Sequence, residues 1–468
     1  MPHFAPDQLA RWTGGRWTVS PTVPLSGFAI DTRQVRVGEV FVALKTAVRD
    51  GHDFLGTAAQ SGASAAIVKT PNLKLMLPQL VVADPLEAFQ LIARKHRRSF
   101  KGPVIGVTGS AGKTSTKNLL ALLLGATVVA SPVLATEGNL NNHLGVPLTL
   151  TRLDPSLHHF AVIEAGISGP GEMAPLVAMI EPDIAVTTLI GPAHVKELGT
   201  LEGVAFEKSR LSAGIRPTGV ALYPLQCANF KAFADLTGTR IKIEPVEQFP
   251  ANAAGGDTVC LKLTQTAEVT CLELAYSPGV ISTFTLSRVT AGMAQNAALA
   301  ICTALRLGVT PKLIQERLQS YASAALRGEW RRVEGRLYYI DCYNANPASM
   351  LDALATFRSV APANQPRLYI VGGMEELGAE AGEYHRDIGR SLDLRSQDLL
   401  VTIGDYAKEV RDGVLEKGGS AAQTSIVVTH SAIAAAIAGF QGVVFVKGSR
   451  RYQLEAALGA LIDPHTSC

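Results

Sequence analysis

The sequence predicts an α/β protein of three domains, with a parallel sheet at its centre and a Rossmann-like α/β domain after it. Three observations carry that reading. The chain has 468 residues, of which 47% are hydrophobic and 18% charged; it is too long for one core and too apolar for disorder, so about three globular units are expected. An apolar run at residues 103–107 enters the glycine-rich stretch Gly-Val-Thr-Gly-Ser-Ala-Gly-Lys-Thr-Ser-Thr at 106–116, and a helical pattern follows. Short apolar runs alternate with helical stretches on either side of a β-rich interval, the rhythm of parallel sheets covered on both faces.

In chain order, residues 40–44, 65–68 and 80–82 are the strands expected in the first unit, and the basic segment 94–101 marks its boundary. Strands at 104–107, 160–163, 184–189 and 220–223 then build the central sheet. Residues 119–130 are the most apolar stretch, but they fall short of the roughly 18 a membrane helix needs. They are expected to be the buried end of the helix after the glycine turn, followed by a strand. From about 241 to 289 the pattern becomes alternating, with strands at 259–263, 269–274 and 282–286, a meander inserted before a helix starting near Gly292. The αβ rhythm resumes with strands at 337–340, 368–371, 399–403, 426–428 and 443–446, so a separate Rossmann-like unit should begin between 322 and 336. Expected divisions are 1–100, 101–322 and 323–468.

Composition narrows the function. A net charge of +3 predicts neither nucleic-acid binding nor attraction to a membrane surface. The six cysteines (Cys227, Cys260, Cys271, Cys302, Cys342, Cys468) show no C-x-x-C pair, so neither a zinc site nor a disulfide framework is expected, and the natural home is a reducing cytoplasm. The N-terminus lacks the basic-then-apolar order of an export signal.

The glycine turn carries the chemistry. Gly109 and Gly112 can take positive φ and leave no side chain in the way, so backbone N–H groups can converge on phosphate oxygens at the positive end of a helix. Lys113 supplies a mobile positive charge, and the Thr114 hydroxyl suits the Mg²⁺ that travels with a nucleoside triphosphate. Candidate phosphate contacts are Gly109, Ser110, Ala111, Gly112, Lys113, Thr114 and Ser115. The spelling is a variant of the usual phosphate loop, because Val107 stands at its first glycine position and Gly106 comes one residue early.

Glu164 follows a strand and can reach a cation held by Thr114, since neighbouring strands of such a sheet end side by side. His194 lies beyond the next strand in Gly-Pro-Ala-His. Lys208 has the composition of an ordinary helix-surface lysine, and its spacing does not contradict that. Asp341 ends a strand, where an acid can bind ribose hydroxyls, but Asn344, Asn346 and Pro347 after it equally suit a turn or helix cap.

Together, Thr-Gly-Ser-Ala-Gly-Lys-Thr, Glu164, Ala193-His194, Glu202-Gly-Val-Ala205 with Lys208, Asn296, Asp341-Cys-Tyr-Asn-Ala-Asn-Pro347 and Lys447-Gly-Ser-Arg450 resemble the Mur ligases of peptidoglycan synthesis. Asp31-Thr-Arg33, Gly38-Glu-Val-Phe-Val-Ala-Leu44, Gly51-His-Asp-Phe54, Gly138-Asn-Leu-Asn-Asn142, Gly145-Val-Pro147 and Glu376-Leu-Gly378 followed by His385 extend the resemblance to nearly the whole chain. It implies an N-terminal uridine-nucleotide domain, a central ATPase domain with a β-rich insertion, and a C-terminal domain for the incoming amino substrate. The implied reaction is ATP-dependent joining of UDP-N-acetylmuramoyl-tripeptide to D-alanyl-D-alanine through an acyl phosphate.

By the same resemblance, Lys113, Glu164, His194 and Lys208 are catalytic, and Thr114 with Glu164 holds one Mg²⁺ while His194 with a carbamylated Lys208 holds a second. Asn296 contacts adenine, Asp341 the ribose and Arg327 the γ-phosphate, with Arg331 the rival for the last role. Substrate contacts fall to Thr32, Arg33, Lys45, Asn141, Asn142, Asn344, Asn346, Lys447, Ser449 and Arg450. A monomer is expected. The sequence departs from the family at Thr46 and Leu189, where glycine and asparagine are frequent, and at Gly373, where aspartate is usual. The related ligase that adds the third peptide residue usually carries Asp-Asn-Pro-Arg in its last domain, which this chain lacks. A P-loop kinase or NTPase would need no Rossmann-like domain, and a non-enzymatic regulator would not need Lys113, Glu164 and His194.

Overall fold

The computed structural model describes residues 2–459 apart from 251–253, 256, 278 and 334. Cys468 and the rest of 460–468 lie outside the described residues. Three sheets result. In the first, Gln79–Val81, Ala65–Val68, Glu39–Val42 and Gly27–Ala29 run parallel in that order, with Arg16–Trp17 antiparallel at the edge. The helix Pro85–Arg97 covers it, started by Asp84, whose carboxylate accepts from the N–H groups of Leu86 and Glu87, and by Pro85 at the first helical position. Ala88, Phe89 and Ile92 enter the core of this sheet, while Ala93, on the same helix, enters the core under the central sheet. One helix thus serves two cores.

That helix also changes the meaning of the basic segment. Residues 94–97 form its last turn, and Arg97 is completely buried. The Arg97 guanidinium donates to the carbonyls of Ile180 (2.8 Å) and Glu181 (2.9 Å) and to Asp183 Oδ2 (3.0 Å), while Arg94 and Arg98 pair with Glu181. Burial draws its pKa down to about 10. The segment at the expected boundary therefore fastens the first unit to the second.

The central sheet has the order Val280–Ser287, Val269–Ser277, Thr258–Gln265, Thr239–Pro245, Val220–Pro224, Ile184–Thr187, Val104–Thr108, Phe160–Glu164, Val133–Ala135. The β-rich interval is continuous with it, because Thr239–Pro245 and then Thr258–Gln265 add parallel to Val220–Pro224 before the antiparallel hairpins begin. The strand expected at the end of 119–130 is absent: the helix Lys113–Leu123 stops, Val128 and Val129 are exposed, and the chain rejoins the sheet only at Val133. Helix Ala291–Arg306 presents Ala294, Ala297, Ala298 and Ala300 to the core, small side chains that let it approach the loop helix closely.

In the third sheet Arg336–Asp341, Val443–Lys447, Arg367–Gly372, Leu399–Ile403 and Thr424–Val427 run parallel, and Glu329–Val333 adds antiparallel beside Arg336–Asp341. That edge strand escaped the sequence pattern because Glu329, Arg331 and Arg332 give it no apolar alternation. Its Trp330 packs on Tyr339 and Phe357.

The anchoring arginine gives a test. Arg97→Met keeps the volume but strips donors from buried carbonyls and from Asp183, which is 27% exposed, so a loss of about 3 kcal/mol is expected, at the low end for a broken buried pair. Urea unfolding measures it; a loss below about 0.5 kcal/mol would show that the anchor contributes nothing beyond a surface pair.

Candidate active site

The strand Val104–Thr108 is buried throughout and delivers the chain to Gly109 at φ +147°. A Cβ there would lie 1.9 Å from Thr188 Oγ1, and one on Gly112, at φ +78°, would lie 2.2 Å from Asn296 Nδ2, so both positions demand glycine on space as well as backbone angle. Ser110 N–H donates to the Leu189 carbonyl (2.7 Å), its Oγ exchanges hydrogen bonds with Gly191, and Thr188 Oγ1 donates to the Ala111 carbonyl (2.5 Å). Residues 188–191 thus lace the turn, which is why the strand Ile184–Thr187 ends earlier than the expected 189. Leu189 contributes through its main chain, so losing an asparagine side chain there removes no loop contact. The Ser110 N–H is already engaged, leaving the other loop amides and the first turn of Lys113–Leu123 for an anion.

Lys113 opens that helix, and its ammonium donates to the Gly109 carbonyl at 2.8 Å. Burial lowers its pKa, Glu164 opposes the shift and Arg327 adds to it. Glu164 ends Phe160–Glu164, in register with Val107 on the neighbouring strand. Its Oε1 accepts from Thr114 Oγ1 (3.2 Å) and Asn141 Nδ2 (2.8 Å). Its Oε2 is buried 4.0 Å from Lys117 Nζ and has no hydrogen-bond donor among the described residues. Lys117, unforeseen from sequence, is buried one helical turn beyond Lys113 and donates to the Thr136 carbonyl at 2.5 Å. The signal available was that i,i+4 spacing.

The third sheet supplies the opposite wall. Asp341 ends its strand beside Lys447, in register across Arg336–Asp341 and Val443–Lys447. Lys447 Nζ donates to Asp341 Oδ2 (2.6 Å) and to the Asn344 carbonyl (3.2 Å). Asn346 is a cap and a site contact at once: its Oδ1 accepts from Ser349 N–H at the start of Pro347–Val360, while its Nδ2 donates to the Ser110 carbonyl at 3.2 Å. Arg327 lies 3.9 Å from the Tyr343 ring centroid and faces the cavity, whereas Arg331 pairs with Glu329 on the edge strand, so the geometry favours Arg327.

A cavity of about 370 Å³ lies between these walls, lined by Ser110 to Ser115, Asn141, Glu164, Asn296, Arg327, Asp341, Asn344, Asn346 and Lys447, and also by Thr188, Tyr321, Tyr343 and Asp352, which the sequence had not singled out. Outside its lining are Gly109, which shapes the turn, and Asn142, whose Oδ1 accepts from the Leu144 and Gly145 N–H groups where Gly145–Leu150 begins. Ser449 is buried and donates its N–H to the Gly373 carbonyl, and Arg450 pairs with Glu455. On the first sheet, Thr32 and Arg33 sit on a short turn where Arg33 closes on Asp31, and Lys45 stands 3.4 Å from Asp50; Thr46 holds the adjoining turn by accepting from Arg49 N–H (3.1 Å). Gly373 leaves room for Tyr452, whose hydroxyl would be 2.7 Å from a Cβ there; an aspartate would displace it.

His194 and Lys208 are not among the residues that line the cavity. His194 adopts φ +58°, and its Nδ1 contacts Glu376 Oε2 of the third unit. Lys208 is no surface lysine: on Leu201–Ala213 it is fully buried, and among the described residues its Nζ has no hydrogen-bond partner. Burial pushes its pKa far below the usual lysine range, and the charge of Lys113 adds to the shift.

A glycine turn facing a helix N-terminus, with a strand-end carboxylate beside it and a second α/β unit forming the opposite wall, defines a phosphate-loop nucleotide site set between two units. Residues 107–304 match the Mur ligase middle domain and residues 326–450 the Mur ligase glutamate ligase domain. The UDP-N-acetylmuramoyl-tripeptide--D-alanyl-D-alanine ligase of Escherichia coli K12 is 32% identical over 95% of both chains. A solved MurF from Acinetobacter baumannii superposes with TM-score 0.84 at 29% identity, covering 98% of this chain and 99% of that one. A MurF ligase from Thermotoga maritima, solved with ADP, gives 0.78 at 26%, covering 92% and 96%. This chain belongs to the Mur ligase family.

The residues present fit ATP and a divalent cation. The unpartnered Glu164 Oε2, beside the Thr114 hydroxyl, is a hard oxygen donor, and among the described residues no cluster of three His, Cys, Asp or Glu competes with it. Gly112→Ala should weaken ADP binding about tenfold, the equivalent of the 1–2 kcal/mol that a side chain in the left-handed region costs. Calorimetric titration measures this, and unchanged affinity would show that the turn does not set the phosphate site.

Proposed function

We propose that the chain is the ATP-dependent ligase that joins UDP-N-acetylmuramoyl-tripeptide to D-alanyl-D-alanine in peptidoglycan precursor synthesis. The observation that carries this reading is the cavity itself: the phosphate loop forms one wall, the Asp341–Lys447 pair and Arg327 the other. The E. coli relative, whose name states this reaction, aligns over 95% of the chain. No described helix is long and apolar enough to cross a membrane. The proposal extends to a cytoplasmic monomer whose residues 1–100 take the UDP-linked substrate, 101–322 the ATP and 323–468 the dipeptide.

A carboxylate resists attack by an amine because oxide is a poor leaving group. Phosphorylating the terminal carboxylate of the tripeptide gives an acyl phosphate and ADP; the dipeptide amine then adds to the carbonyl, and the tetrahedral intermediate expels phosphate. In this scheme Lys113, the free loop amides and Arg327 neutralise charge that builds on the transferring phosphoryl oxygens. Asn296 lies against Gly112 at the adenine end, and Asp341, steadied by Lys447, accepts from the ribose hydroxyls. Thr114 and Glu164 hold one Mg²⁺, and His194 with Lys208 a second; bound Mg²⁺ supplies charge neutralisation to the phosphates.

Lys208 enters this scheme as a carbamate. Its burial favours the neutral amine, the species that adds to CO₂ with release of one proton to solvent, and the product RNH–COO⁻ offers oxygens to a cation where an ammonium would repel it. A ligase adding the third peptide residue is the alternative, and the missing Asp-Asn-Pro-Arg segment counts against it.

ADP and phosphate release, assayed with each substrate omitted in turn, tests the reaction. Release is expected only with both UDP-muramoyl-tripeptide and D-Ala-D-Ala, and hydrolysis that needs neither would overturn the ligase reading. Lys208→Ala should cut the rate about 100-fold, with partial recovery on adding short carboxylic acids; full activity without them would refute the metal role.

A further inference from the structure

The stretch Met374-Glu-Glu-Leu-Gly378 with His385 is unused by the scheme above, yet its geometry is specific. Met374 and Leu377 are buried as two feet of the loop, and Met374 N–H donates to Nε2 of the buried His385 at 2.8 Å. Gly373 N–H donates to the Ile403 carbonyl (3.1 Å), and its own carbonyl accepts from Ser449 N–H (3.0 Å). On that fixed base Glu376 takes φ +63° and turns its carboxylate out of the third unit onto His194 Nδ1, which belongs to the central one. His194 is itself at φ +58°. Two non-glycine residues in the left-handed region therefore meet across one interface, where such strain marks a function more often than an accident. Alongside, Lys196 N–H donates to the Glu376 carbonyl at 3.3 Å, and Gly378, at φ +70°, lies close against the Lys196 backbone.

We propose that Glu376 is a positioning residue for His194: a carboxylate brought by the third unit that fixes the imidazole, so that the His194 end of the site is complete only when the two units are docked. A carboxylate on Nδ1 selects the tautomer with its proton there and leaves the Nε2 lone pair for a cation. This rests on the reading of His194 as a cation ligand. It also gives the loop a means of reporting the docking of the third unit to the phosphate site, since the same loop carries both the interface backbone contact and the carboxylate.

The test is Mn²⁺ titration, read by electron paramagnetic resonance, of the full chain with a non-hydrolysable ATP analogue, comparing wild type, H194A, E376A and E376Q. We expect H194A to lose the weaker Mn²⁺ site and E376A to weaken that same site about 10- to 100-fold, with the tighter site unchanged. E376Q, whose amide oxygen can accept from an Nδ1–H but carries no charge, should fall between. The Glu376 side chain is 47% exposed, so the melting temperature of both variants should match wild type. Loss of the site in H194A but not in E376A overturns the positioning role alone. Wild-type Mn²⁺ binding in H194A overturns the ligand reading of His194 and the inference with it.

Discussion

The burial of basic side chains around the phosphate turn governs this site. Lys113, Lys117 and Lys208 are all held below their ordinary pKa by burial; Arg327 adds to the shift of the first two and Glu164 opposes it, while Glu207 opposes that of Lys208. In a low-dielectric pocket such a set is unfavourable alone and becomes favourable when a polyanion arrives. Among the described residues, Glu164 Oε2 and Lys208 Nζ are both buried without hydrogen-bond partners. Affinity for a triphosphate with its cation is thus stored in the fold as unsatisfied electrostatics.

The units that enclose the charge are attached in different ways. The first is bolted on by Arg97, which reaches main-chain carbonyls and Asp183 at the back of the central sheet, away from the phosphate turn. The third touches the central unit at the site itself. Asn346 reaches the Ser110 carbonyl, Asp352 accepts from Gly292 N–H (3.0 Å) at the start of the helix bearing Asn296, and Glu376 meets His194. Asp352 fits because residue 292 lacks a Cβ, which would lie 2.6 Å from its carboxylate, and burial raises its pKa. Docking of the third unit and assembly of the nucleotide pocket are therefore one event.

Family departures become intelligible in the same terms. Leu189 serves the loop through its carbonyl, which any residue has. Thr46 replaces a glycine where the turn needs no positive φ and gains a hydroxyl that accepts from Arg49. Gly373 is matched by Tyr452, which occupies the space beside it and donates to Glu375 at 2.8 Å.

The sequence by itself determined the α/β class, the glycine turn and the strand-end positions of Glu164 and Asp341, because each depends on local periodicity or on a backbone angle that only glycine adopts freely. It read strand starts better than strand ends. The segment after Thr187 left the sheet to lace the phosphate turn, and residues 127–130 stayed in solvent, since both outcomes depend on partners distant in the chain. Only the tertiary structure decided that Lys208 is buried, that Arg97 is an anchor, that Arg327 and not Arg331 faces the cavity, and that Glu376 meets His194. Lysine and arginine carry the same letters on a surface and in a core; what separates the two is the packing of neighbours far away in sequence, and that packing sets their charge, their partners and their use.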